Sequence, residues 1–317
     1  MNNESEDQMM KSYMVGGAGI RRYPVIAALA VVMSAASLVV VSPALAKEPT
    51  GDYAVFNQCP RFTAGVVLCL YSETQSGEVT LNKQTVPIEK TIVLQGGITL
   101  NEETKDETFV GALNGETLSK APQKVPGGLA GLVKCNEITG GGFAEKAARF
   151  TCELVFENAL TGVNAVTELA RPASEIGINT SNLVNSEGVA LSLPLKVHLE
   201  NPLLGSNCYV GSSAHPLTLN LTTGSTSPNP PNTSIKGKVG DVKQKHFFEF
   251  IEIKENTLVD NAFAAPEATG CGGIFAPLIN PLVNNKIGLP SVDGQNTAIQ
   301  NNFIREATTE GVIGSEE

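Results

Sequence analysis

The chain has 317 residues, a formal net charge of −10 and no tryptophan. An acidic chain without a cluster of Lys and Arg argues against nucleic acid and anionic membrane as partners. Five tyrosines and no tryptophan leave few aromatic planes on which a lectin or glycosidase could stack sugars.

Residues 1–46 read as a signal peptide. Arg21 and Arg22 precede an apolar run at 25–41, and Ala44-Leu45-Ala46 supplies a small-residue cleavage site before Lys47. The paired arginines raise twin-arginine export as an alternative, but Tyr23-Pro24 stands where an apolar pair is expected. The stronger competitor is an uncleaved membrane anchor, because the run is near the short limit for a span. Beyond the leader no second apolar stretch reaches spanning length. The expectation is a secreted, extracellular or envelope-associated chain with no membrane contact after cleavage.

All six cysteines, Cys59, Cys69, Cys135, Cys152, Cys208 and Cys271, lie past the leader. An even number in an exported chain favours disulfides, and sequential pairing is preferred because each pair then falls within one apparent block. No C-x-x-C and no zinc-finger spacing occurs, so no metal, thiol redox chemistry or cofactor is expected.

From Lys47 the pattern is strand and turn. Strands are predicted at 53–56, 65–71, 78–81 and 86–94, with Gly77, Pro87 and Gly96-Gly97 as punctuation. Residues 101–108 form a polar loop, and 120–128 is a candidate subdomain boundary. An alternating strand at 149–157 turns at Thr161-Gly162 and returns at 163–170 as a hairpin.

The centre of the pattern is 193–223. Leu193, Leu195, Val197 and Leu199 alternate with Pro194, Lys196, His198 and Glu200, as on a half-buried strand. Pro194 lacks an N–H, which predicts an edge or a bulge. After a loop holding Cys208, a second strand alternates Leu217, Leu219 and Leu221 with Thr218, Asn220 and Thr222. Residues 222–241, rich in Gly, Pro, Ser and Thr, read as a connector: an interdomain linker or, if Cys208 and Cys271 pair across it, a surface loop within one domain. A β-prone stretch follows at 246–254. Asn296 reads as the cap of a short helix in which Ile299 and Phe303 meet at i,i+4, and 308–317 as a disordered acidic tail.

Taken together, the fold expected is all-β, with mainly antiparallel sandwich-like or barrel-like sheets, disulfide-stapled, with few short helices, over residues 47–307. No G-x-S-x-G occurs. His198, His215 and His246 are the only histidines. His215 beside Ser212 and Ser213 is the most suggestive for catalysis, against the plainer reading of turn hydrogen bonds. His246 and Glu249, three apart on a strand, would face opposite ways and could not chelate together. Candidate binding residues are Cys208, Tyr209 and His215 in the central loop.

The segments at 51–60, 199–213, 221–232, 258–273 and 288–299 resemble a family of uncharacterised secreted actinobacterial proteins. The resemblance implies export and a Gram-positive envelope, and no activity. Two functions follow as expectations. The first is a non-enzymatic secreted or envelope-associated β protein, structural or binding, with an extracellular or cell-wall partner. The second is a secreted hydrolase with a His-centred site.

Overall fold

The computed structural model describes residues 47–129 and 162–316, together with 142, 143, 146, 147 and 149 between them. The leader, the Cys135–Cys152 pairing and the strand expected at 149–157 lie outside the described residues, save for Arg149.

The longest strand, β1 (Val66–Leu81), organises the first sheet. One edge pairs along its length with β14 (Asn296–Thr308), from Leu68↔Thr308 to Leu81↔Asn296. The other edge pairs first with β3 (Ile92–Leu100) and then with β2 (Gln84–Ile88). A two-residue turn at Asn82-Lys83 joins β1 to β2, and Asn82 takes the left-handed φ of +47° that asparagine tolerates. Beyond β3 lies β4 (Glu107–Gly111), and beyond β14 lie β12 (Phe250–Asp260) and β11 (Asp241–Lys245).

The second sheet is built on β8 (Leu191–Glu200). Along one edge run β6 (Val163–Leu169) and β7 (Gly177–Ile178); along the other run β10 (Leu217–Leu221) and β9 (Tyr209–Val210). Outside these lie β5 (Gln123–Val125) on β6 and β13 (Ala268–Thr269) on β9. All these pairings are antiparallel.

Both sheets turn an apolar face to one shared core. Leu70, Leu94, Ile98, Phe109 and Ile304 of the first sheet meet Val163, Leu193, Leu195, Val210 and Leu219 of the second. This is a sandwich, and among the described residues no barrel closes. A helix, α2 (Ala276–Ile287), buries Ile279, Val283 and Ile287 against the same core. Residues 47–317 form one compact unit, and residues 120–128, which hold β5, carry the chain from the first sheet to the second.

Two polar ties join the sheets. Gln123 of β5 accepts from the backbone N–H groups of Glu89 and Lys90 at 2.8 and 3.0 Å, between β2 and β3. Across the sandwich, Thr222 and Val259 exchange backbone hydrogen bonds at 3.0 and 2.9 Å, and Asp260 accepts from the Asn220 N–H. The proline-rich stretch continues beside β12 through Lys238 and Thr257, which also exchange backbone bonds, and Cys208 and Cys271 are disulfide-bonded across it. It is a loop within this unit.

A smaller cluster covers the outer face of the first sheet. Tyr53, Phe56, Phe250 and Val312 pack around the Cys59–Cys69 disulfide.

Several local expectations are corrected. Residues Gly51–Phe56 form a 3-10 helix, not a strand, and bury Tyr53 and Phe56. Gly96 and Gly97 lie inside β3: a Cβ on Gly96 would meet the Val110 carbonyl at 2.4 Å and the Phe109 ring at 2.6 Å. Pro194 is inside the sheet, opposite Thr218. The ladder with β6 ends at Leu195 and that with β7 begins at Ser192, so the proline nitrogen falls in the gap between them, where no N–H is needed. The expected helix at Asn296 is strand β14. The expected disordered tail holds α3 (Thr309–Gly314), which buries Val312, while Glu316 pairs with Arg61 at 2.5 Å. A buried apolar side chain and a buried guanidinium partner hold that segment down. Among the described residues no helix is long and apolar enough to cross a membrane.

Candidate functional site

The inner faces of the two sheets do not close on each other everywhere. A cavity of about 110 Å³ lies between β1, β2, β3 and β14 on one side and β6, β8 and β10 on the other. Its walls are the alternating apolar side chains that strand periodicity turns inward: Val79, Leu81, Val86, Ile88, Ile92 and Leu94 face Leu191, Leu193, Leu195, Val197, Leu217 and Leu219. Val79, Leu81, Val86, Ile92, Leu191 and Val197 face inward yet remain only half-buried, because they border space. In a close-packed interior such side chains would be sealed.

A few polar groups converge on one wall. Thr74 donates from Oγ1 to Asn302 Oδ1 at 2.7 Å, and Asn302 donates from Nδ2 to the Gln300 carbonyl at 3.1 Å. Ser72 and Gln300 line the cavity beside them. These residues share a face because β1 and β14 are adjacent, with Thr74 directly opposite Asn302.

A second, smaller cavity of about 30 Å³ adjoins the first, and Ser72, Leu94, Leu191 and Leu258 line both. Glu306 of β14 reaches into it. This carboxyl is 7% exposed, and its Oε1 has no hydrogen-bond partner. Burial, with a lesser contribution from the Glu107 charge, pushes its pKa up to about 7. Glu107 is itself engaged by the N–H and hydroxyl of Thr180, at the start of α1 (Thr180–Asn185). Among the described residues no Lys, Arg or His lines either cavity.

The residues singled out from sequence lie elsewhere. Cys208 is buried in its disulfide with Cys271. Tyr209, next to it on β9, presents its ring on the outer face of the second sheet. There it stacks on His198 at 4.5 Å, with Lys196 Nζ 4.6 Å from its centroid. His198 Nδ1 lies 3.8 Å from Glu200, and its buried Nε2 has no hydrogen-bond partner. His215 stands apart in the exposed turn between β9 and β10. Its backbone N–H donates to Ser212 Oγ at 3.1 Å and its carbonyl accepts from Ser212 N–H at 2.9 Å, as turn residues do. Beyond Cys271, Ile274, Phe275 and Leu278 are exposed apolar side chains.

His246 follows β11 in a tight turn where His246, Phe247 and Phe248 all have positive φ. Its Nε2 lies 3.0 Å from Asp52 Oδ2, and this imidazole holds the Asp52 carboxyl below its usual range. Both side chains are solvated, and among the described residues no hydroxyl completes a triad with them. Among the described residues no group of three or more His, Cys, Asp or Glu could hold a metal ion. Comparison with protein-family models, curated proteins and solved structures finds no match to this chain.

The intersheet cavity and Glu306 were missed from sequence. The signal was available in part: once 296–308 is a strand, Ala298, Asn302, Ile304 and Glu306 fall on one face, and two polar residues among apolar ones mark a lined space.

Proposed function

We propose that the chain is a non-enzymatic secreted or envelope-associated binding protein that takes a small apolar ligand between its two sheets. The observation that carries this reading is the intersheet cavity: an apolar, partly open space with a few converging polar groups, as ligand sites commonly are. Its volume is of the order of the cavity of roughly 150 Å³ that holds benzene in an engineered protein. The exposed Ile274, Phe275 and Leu278 beside the Cys208–Cys271 disulfide support a binding role and give an extracellular or cell-wall partner an apolar surface to meet. The disulfides fit an oxidising compartment.

The test is a thermal shift of the oxidised chain with n-hexanol. A ligand bound only by the folded state raises Tm with concentration. Ala165→Phe, which fills the space from β6, should remove that shift while the protein stays folded by circular dichroism. A flat response in the wild type refutes the reading.

A second reading, a hydrolase centred on His246, draws on its contact with Asp52. Turnover of a p-nitrophenyl ester that disappears in His246→Ala would favour it.

A further inference from the structure

We propose that the carboxyl of Glu306 is the head-group site for an apolar amine, whose hydrocarbon part lies in the intersheet cavity. This rests on the binding reading above and names the chemical class of its ligand.

Three observations converge. First, Glu306 projects from β14 into a small space that shares four wall residues with the larger cavity, so one ligand could span both. The smaller space suits a compact head and the larger one a chain or ring. Secondly, a buried polar atom is nearly always hydrogen-bonded, and Oε1 of Glu306 is not. When ionised this carboxyl only accepts, so the partner that its charged form lacks is a donor. Thirdly, the charge around the site has one sign. Glu107 on β4 adds negative charge, and among the described residues neither cavity has a basic residue in its wall. The next residue, Arg305, points to the opposite face of the sheet, where it pairs with Glu73 at 3.4 Å. Across β14, Glu252 of β12 lies opposite Arg305 and pairs with Lys245 and Lys254 on that outer face.

These features discriminate among ligand heads. A carboxylate or phosphate would meet the Glu306 carboxyl and the nearby negative charge of Glu107, with no cation among the described wall residues. An alcohol could satisfy Oε1 with one neutral hydrogen bond. A primary ammonium supplies three donors and the opposite charge, which makes the stronger, charge-assisted bond. Glu306 near neutral pH is partly protonated. When an ammonium enters, the carboxyl proton leaves to solvent and the remaining carboxylate pairs with the ammonium.

The experiment is calorimetric titration of the full oxidised chain at pH 7 with n-hexylamine, n-hexanol and hexanoate, repeated in two buffers of different ionisation enthalpy. The amine should bind at least about tenfold more tightly than the alcohol, and hexanoate most weakly of the three. Amine binding should release protons and alcohol binding should not. In Glu306→Gln the amine's advantage should shrink to within about threefold, and proton release should vanish. If that variant does not fold, proton release by the wild type decides. Hexanol binding as tightly as hexylamine, or hexylamine binding without proton release, overturns this inference and leaves the cavity reading standing. Failure of all three compounds to bind overturns both.

Discussion

On the outer face of the first sheet, Phe56, Phe250 and Val312 close over the Cys59–Cys69 disulfide, each at 1% exposure or less. On the inner face of the same sheet, Val79, Leu81 and Ile92 stay half-buried around a cavity, and an unpartnered carboxyl stands beside it. The smaller cluster is packed as a protein interior normally is; the larger one leaves space and an unsatisfied polar atom. The same sheet thus serves a structural face and an unfinished one. An unfinished face is what a site for a second molecule requires.

The difference can be tested by mutation. Phe250 touches Tyr53 and Phe56 edge-on at 5.5 and 5.9 Å, so Phe250→Ala should cost about 3–5 kcal/mol in denaturant unfolding. A loss under about 1 kcal/mol would show that the outer cluster is as loose as the inner one. The second test is pH. Burial raises the Glu306 pKa to about 7 from the usual 4.5, so between these values the native state holds a proton that the unfolded state has released. Stability from this group is therefore lost as pH rises from about 4.5 to about 7. The change is on the order of 3 kcal/mol, and Glu306→Gln should flatten it. The smallest effect comes from one substitution made twice. Ala307→Val in the outer cluster should cost about 1–3 kcal/mol by overpacking, whereas Ala165→Val beside the cavity should change stability by less than about 1 kcal/mol. Equal costs would erase the contrast.

The second sheet was the more legible in sequence. Leu193, Leu195 and Leu199 on β8 and Leu217, Leu219 and Leu221 on β10 are buried as period-two alternation predicts. The first sheet was less so, and β14 shows why. Ile299 and Phe303 are four apart, a spacing that puts two residues on one face of a helix and equally on one face of a strand. The choice is made by β1 and β12, which flank this segment, and local pattern carries no record of them. The partner of His246 is Asp52, 194 positions away, so no spacing rule could find it. The cavity was invisible for a related reason. Leu81 and Leu191 read as ordinary core residues, and whether the space between two facing leucines is filled depends on the separation of the sheets.

The exposed edge of the first sheet has a bearing on how the molecule behaves in company. Strand β11 carries Asp241, Lys243 and Lys245 within five residues, and its first four side chains are exposed. Another copy laid against this edge would have to bring its own charged strand alongside and strip water from both. The open ladder is thereby a poor template for end-to-end growth.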